Sequence, residues 1–238
     1  MTHPYILMWL EGPLQSWGYD SRYGRRDTLS FPTKSGVLGI VCAALGAGGE
    51  QKDLLAKLAE LDMQILAFPM KREGKVPSLP VSLQDFQMVG SGYDDKDPWQ
   101  SLLIPKTSQG KKAVGGGTKM TYRHYIQDMA YAVMLEVPVD MAPIISNALV
   151  APVWDLSLGR KSCVPTEFIY QGTHKTALEC EQQALFLAET KGRGLAFVVK
   201  QGAVEGDELL TLNDVPLQFG ENKRYRDRQV TLIYPEEA

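Results

Sequence analysis

Gly12-Pro13-Leu14-Gln15-Ser16-Trp17-Gly18, followed by Phe31-Pro32-Thr33-Lys34-Ser35-Gly36-Val37-Leu38-Gly39, frames the segment around which this chain is read. Before it, Tyr5 to Leu10 is a short apolar run, the pattern of a buried strand. Between the two blocks lies a basic loop with Arg22, Arg25 and Arg26, and Lys34 opens the apolar run that continues to Leu45 as a helix. Thr33 or Ser35 is the expected N-cap, and Gly46 the expected residue just past the C-terminus. First-turn amides at Lys34, Ser35 and Gly36, with cations just upstream, are the ingredients of an anion site, and glycines let a ligand backbone come close. The competing reading is a surface loop that leads into an ordinary packed helix. Gly36, Gly39 and Ala43 fall near one helix face, which predicts close packing against a sheet.

Working outward, Glu50 to Leu61 carries leucines at helical spacing, and Met63 to Met70 reads as a strand closed by a turn at Glu73-Gly74-Lys75. Val81 to Val89 alternates as a strand, and Lys119 to Gln127 is its expected return. From Gly90 to Thr118 glycines and prolines break any pattern, so a projecting hairpin or a flexible linker is expected there. Met129 to Val137 is strongly strand-like, Asp140 to Ala151 reads as a helix capped by Asp140, and a short strand falls near Phe168 to Tyr170. The sum is an α+β chain with a ferredoxin-like, RRM-like βαββαβ domain over residues 1–171, interrupted by an insertion at about 76–127. Residues 172–238 form a small C-terminal extension, with a helix from Ala177 to Glu189 and strands at Leu195 to Lys200, Glu208 to Leu212 and Gln229 to Tyr234.

The 238 residues can bury a full core, and 44% hydrophobic with 22% charged residues is the balance of a soluble globular chain. Three scattered cysteines, Cys42, Cys163 and Cys180, suit neither a disulfide framework nor a zinc site and point to a reducing cytoplasm. No signal peptide or membrane span is visible. Three histidines without ligand spacing argue against a metal, and no cofactor fingerprint is present.

A net charge of −3 argues against a surface that coats nucleic acid all over. Yet Lys106, Lys111, Lys112, Lys119 and Arg123 follow one another between Ile104 and Gln127 with no acid among them. A local basic track on a mildly acidic body suggests a defined nucleic-acid path, and a merely solvated charge cluster is the alternative. The RRM aromatic signature is missing, so an RNA contact through the open sheet face is not expected. Alternation on a strand puts Tyr122 and His124 on one face and Arg123 and Tyr125 on the other. That favours a contact strand over a metal-independent nuclease, although His, Tyr and Lys together could in principle cut RNA. Gly159 would permit a tight turn that offers Arg160, Lys161 and Ser162 to a phosphate near the first helix, with Cys163 buried and inert.

The two opening blocks, together with Tyr122-Arg123-His124-Tyr125 and Leu158-Gly159-Arg160-Lys161-Ser162-Cys163, resemble the CasD family, the RAMP-type subunits of the type I-E Cascade CRISPR complex. The match spans residues 5 to 165, and no motif carries over beyond Thr166. The resemblance implies a non-catalytic subunit that holds the 5′ handle of a CRISPR RNA, touches a backbone and a large subunit, and meets target DNA through the complex. It also names the insertion a thumb, which crosses the guide where the handle ends. On this view Trp17 joins Arg22, Arg25, Arg26, Lys34, Ser35, Gly36, Lys111, Lys112, Lys119, Arg123, His124, Arg160, Lys161 and Ser162 as RNA-contacting positions. A distant type I-C relative is thought to process its own guide RNA with Tyr, Lys and His, which keeps an endoribonuclease as the alternative.

Overall fold

The computed structural model describes residues 2–19, 21, 24–77, 80–89, 96–99, 106–111 and 119–235. Its elements begin with β1 (Tyr5–Glu11) and four two-residue strands: β2 (Leu14–Gln15), β3 (Trp17–Gly18), β4 (Arg25–Arg26) and β5 (Thr28–Leu29). Next come α1 (Lys34–Leu45), α2 (Lys52–Leu58), β6 (Met63–Phe68), β7 (Val81–Val89), β8 (Lys119–Gln127) and β9 (Ala130–Glu136). The chain finishes with α3 (Ala142–Val150), β10 (Tyr170–His174), α4 (Ala177–Thr190), β11 (Phe197–Gln201), β12 (Glu208–Gln218) and β13 (Arg224–Ile233). The protein is thus mixed α and β. One seven-stranded sheet runs β10-β1-β9-β6-β11-β13-β12, antiparallel at every pair.

β1 reads as an unbroken apolar run because both of its faces are covered. Ile6, Met8 and Leu10 face a core shared with Val37, Leu38 and Val41 of α1 and with Ile145 and Leu149 of α3. Leu7 and Trp9 face the other way, with Leu66, Phe68 and Met134, onto Cys180, Ala184 and Ala188 of α4. Small residues on α4 allow it to lie close to the sheet, and Trp9 stacks on Phe68 with ring centroids 5.6 Å apart. The segment after residue 172 is therefore continuous with the rest: β11 pairs with β6, and α4 covers the second face of the sheet.

Several boundaries match local signals. Thr33 caps α1 by accepting from the Gly36 amide at 3.1 Å, and Gly46, at φ 67°, ends it in the left-handed region. β7 and β8 occupy the residues expected, and Glu73 and Gly74, both at positive φ, form the tip of a tight turn. α3 departs from expectation, since its N-cap is Met141 and Asp140 makes no cap. The expected thumb is described at its paired stem, β7 and β8, and at 96–99 and 106–111, while the rest of the projected loop lies outside the described residues.

The start of α1 corrects the sequence reading. The first-turn amide of Lys34 donates to Asp214 Oδ2 at 2.7 Å, and Asp214 is paired with Arg228 through Nε–Oδ1 (2.7 Å) and Nη2–Oδ2 (2.9 Å). Asp214 is the extra residue where the β12 register slips between Asn213 and Val215, and this bulge turns its carboxylate inward. The helix terminus that resembles an anion site thus already holds an anion, supplied by the chain itself. Lys34 is not a phosphate ligand at the surface. Its side chain is fully buried and its Nζ donates to Leu61 O (2.5 Å) and Gln201 Oε1 (3.0 Å). The small-residue face of α1 also looks elsewhere than expected: Gly36, Gly39 and Ala43 line a groove, while Val37, Leu38 and Val41 meet the sheet.

Burial, and then the charge of Arg228, pushes the Lys34 ammonium down to about 8, against the opposing pull of Asp214, Asp62 and Glu60. The unfolded chain keeps this proton up to about 10.5, so between the two values unfolding takes up a proton and stability rises with pH. The unfolding free energy of the wild type relative to Lys34→Met should therefore grow by about 1.4 kcal/mol per pH unit across that window. Urea denaturation at about pH 8.5 and about pH 10 measures it, and a pH-independent difference would place the charge of Lys34 in a solvated site.

Candidate nucleic-acid interface

The Gln15-Ser16-Trp17 run is internal bracing. Gln15 is fully buried and its Nε2 donates to Leu10 O (3.1 Å) and Met129 O (2.7 Å), joining the end of β1 to the start of β9. Trp17, expected to contact RNA, has no exposed surface, and its indole N–H donates to Gln15 Oε1 at 3.2 Å. An indole so enclosed cannot stack on a base, so Trp17 is corrected to a core residue. Ser16 ties this brace to β8 by donating from Oγ to His124 O at 3.2 Å.

Beyond the brace, β4 lies parallel to β8, with Arg25 opposite Tyr122 and Arg26 opposite Arg123. β7 flanks the other side of β8, setting Phe86 against Tyr122 and Asp85 against Arg123. Period-two alternation then sorts the side chains into two faces. One face carries Arg25, Tyr122 and His124, together with Phe86, Met88 and Met120 in an exposed apolar ladder; the Phe86 and Tyr122 rings are 5.1 Å apart. The other carries Arg26, Arg123 and Tyr125. The split expected from alternation between Tyr122 with His124 and Arg123 with Tyr125 is therefore seen.

Arg160 joins the second face from a distant loop. Its guanidinium sits 4.7 Å from the centroid of the Tyr125 ring, and its Nη2 donates to Arg26 O at 3.0 Å. Gly159 makes the approach possible. It has φ 92°, and a Cβ there would fall on the carbonyl oxygen of Ser16, whose amide in turn donates to Leu158 O at 3.0 Å. The Arg160 block was expected to face the start of α1. Only Gly159 borders that groove, a space of about 450 Å³ that also meets Ser35, Gly36, Lys223 and Tyr225. Lys161 lines a different groove with Trp154, Val164 and Phe168, and Ser162 is exposed. Cys163 is buried as expected, and burial pushes its thiol up.

Among the remaining candidates, Lys119 opens β8 opposite Val89, and Lys111 lies exposed in a turn where the Thr107 amide donates to Lys111 O at 2.7 Å. Arg22 and Lys112 lie outside the described residues. The structure thus gathers Arg25, Arg26, Arg123, His124 and Arg160, sets Ser35 and Gly36 on a neighbouring groove, and removes Trp17 and Lys34 to the interior.

Sequence reasoning passed over Asp27. Arg25 Nε donates to both of its carboxylate oxygens at 3.0 Å, and His124 Nδ1 lies 2.7 Å from Asp27 Oδ1. Desolvation raises the Asp27 carboxyl, but the hydrogen bonds and charges of Arg25 and then His124 outweigh it and hold the group below its ordinary value. Its place two residues after Arg25 was the available signal, since alternation returns it to the same face. Among the described residues no cluster of His, Cys, Asp and Glu could hold a metal ion, and no helix is long and apolar enough to cross a membrane.

The chain is similar in sequence and in fold to known proteins. Residues 5–231 match the family described as CRISPR-associated protein (Cas_Cas5), and the chain belongs to that family. It is 28% identical over 218 residues to the CRISPR system Cascade subunit CasD of Escherichia coli (strain K12), covering 90% of this chain and 88% of that one. A chain of a CRISPR RNA-guided surveillance complex superposes with a TM-score of 0.70 at 26% identity, over 97% of this chain and 89% of the other. A crystal structure of a Cas protein gives 0.61, also at 26% identity, over 97% of this chain and 94% of the other.

Gly159→Ala tests the turn that delivers Arg160. A left-handed alanine and a clash with the Ser16 backbone should together cost about 2 kcal/mol or more in chemical denaturation. Gly18→Ala, where an added Cβ meets nothing within 4 Å, should stay within about 0.5 kcal/mol of wild type. Equal effects would show that the Gly159 approach is not a constraint.

Proposed function

We propose that this chain is the subunit of a type I-E Cascade that holds the 5′ handle of a CRISPR RNA without cutting it. It works in the cytoplasm, contacts a backbone subunit and the large subunit, and meets target DNA only through the assembled complex. The observation that carries the reading is one hairpin edge that bears Arg26, Arg123 and Arg160 on one face and Arg25 beside the exposed rings of Phe86 and Tyr122 on the other. Cations that neutralise phosphates beside aromatic faces that accept bases are the two requirements of single-strand binding.

The strand order supports the finer fold assignment. β1, α1, β6, β9, α3 and β10 form a βαββαβ series, and the sheet sets their strands in the order β10-β1-β9-β6, which is the ferredoxin-like arrangement. In an RRM the sheet face opposite the helices is the RNA platform; here α4 covers that face, which moves any RNA path to the hairpin edge.

One observation keeps the nuclease alternative in view. His124 Nδ1 lies 2.7 Å from Asp27 Oδ1, the carboxylate–imidazole pairing of a general base, although the contact lacks hydrogen-bond geometry. Against it, Arg123 and Arg160 lie on the opposite face from His124, and Arg25 is already engaged with Asp27, so cations and base do not converge on one phosphate.

Labelled repeat RNA incubated with the purified protein in EDTA separates the two readings. Binding without product is expected, and His124→Ala should weaken it; metal-free cleavage that disappears in His124→Ala would establish the nuclease. In the same assay, Arg25→Gln and Arg26→Gln should each flatten the dependence of log affinity on log salt by roughly 0.7 for every phosphate that the arginine neutralises. An unchanged slope in folded variants would remove these residues from the RNA path.

A further inference from the structure

We propose that the groove between the 150–157 and 164–169 stretches seats another protein subunit, one that places a large apolar side chain in it, a cation against Asp155 and a carboxylate against Lys161. The inference rests on the membership of a multisubunit complex proposed above.

The groove encloses about 1000 Å³ and is bordered by Val150, Val153, Trp154, Val164 and Phe168. All five are exposed, Phe168 at 86%. Single apolar residues are ordinary on a surface, but five around one concavity mark a docking place. Both walls are fixed by the main chain. On one, the Val153 amide donates to Ala44 O at 3.0 Å and the Trp154 amide to Ala43 O at 3.3 Å, at the end of α1. Glycines make the room for them: a Cβ on Gly46 would fall 2.8 Å from Val153 Cγ1, and one on Gly48 3.1 Å from the Trp154 ring. On the other, the Trp9 amide donates to Ile169 O at 2.8 Å and the Thr166 amide to Glu11 O at 2.9 Å, which ties this wall to β1. A cleft held open in this way loses little conformational entropy when a partner enters.

Charge decides the kind of partner. Asp155, Lys161 and Glu167 line the groove, and no arginine does. Glu167 is taken by Lys191 at 2.6 Å, whereas among the described residues neither Asp155 nor Lys161 forms an ion pair. Two acids to one base give none of the cationic excess that a phosphate backbone requires, so this groove does not extend the RNA path. One free carboxylate and one free ammonium beside an apolar hollow call for a ligand that carries both signs and an apolar anchor. A polypeptide has that combination, and an apolar centre with a charged rim is the usual anatomy of a protein interface.

The test uses the full chain, tagged and loaded with repeat-derived RNA, titrated against the other protein subunits of its own complex, each purified separately. Phe168→Ser and Val164→Asp change exposed side chains of the groove, and Phe186→Ser, equally exposed on α4, is the control. Each groove variant should weaken capture of one subunit by about tenfold or more, the loss typical of an interface anchor, while RNA binding by the free chain stays within about twofold. Asp155→Lys should weaken capture of the same subunit. Capture that is unchanged in folded groove variants, weakened as much by Phe186→Ser, or not weakened by Asp155→Lys would overturn the proposal. Loss of RNA binding in the free groove variants would also overturn it, by making the groove part of the RNA path. A dimer of the free wild type that Phe168→Ser dissolves would do the same, by making a second copy the occupant. If the wild type binds RNA yet captures no subunit, the membership of a complex itself fails, and the proposal with it.

Discussion

The carboxylate of Asp214 is the point on which the architecture depends. It accepts the first free amide of α1, is held by two nitrogens of Arg228, and is almost fully buried. A buried charge is tolerable only when paired and hydrogen-bonded, and removing one partner from such an arrangement costs about 3–5 kcal/mol. Because Asp214 lies in β12 and Arg228 in β13, the last third of the chain is locked to the helix that follows the first strand. The nearby Lys34 ammonium leans on the Leu61 carbonyl and the Gln201 amide oxygen, and it holds its proton weakly because it is buried and, second, because Arg228 is a like charge.

That lock also limits what the surface leaves open to an outside anion. Asp214 takes the Lys34 amide at the helix terminus, and α4 covers the second face of the sheet. Exposed cations gather at the edge where β4 meets the β7–β8 hairpin, and they arrive there from three separate stretches of chain. Asp27 holds Arg25, and neutral contacts place the rest: Ser16 on the His124 carbonyl, Gly159 on the Ser16 carbonyl, and the Tyr125 ring under Arg160. Gln15, Ser16 and Trp17 therefore act on this edge from beneath, by fixing β8 against β1 and β9.

How much of this was legible from the residues depends on the range of the forces involved. A cap at Thr33 or Ser35, Gly46 as the terminator, the Glu73-Gly74 turn and the paired residues of β7 and β8 were all readable, because capping, left-handed turns and period-two alternation are settled within a few residues; the structure selects Thr33. The polar halves of β12 and β13 were not. Asn213-Asp214 reads as a turn, and Arg224 to Arg228 lacks apolar alternation, so the strands looked shorter than the ribbon they form.

For the candidate site, the sequence by itself determined which residue types were on offer: a basic loop before a helix, a contact strand with Arg123 and His124, and a glycine beside Arg160. Only the tertiary structure decided their roles. Lys34 and Arg25 look alike in sequence, nine residues apart, yet one is sealed in the interior and the other stands on the surface. The difference comes from what the fold brings alongside: Asp214, 180 residues further along the chain, takes the Lys34 amide, and the Leu61 carbonyl and Gln201 amide oxygen take its ammonium. Charge alone is a local property, but burial and pairing are set by whatever the fold brings alongside it.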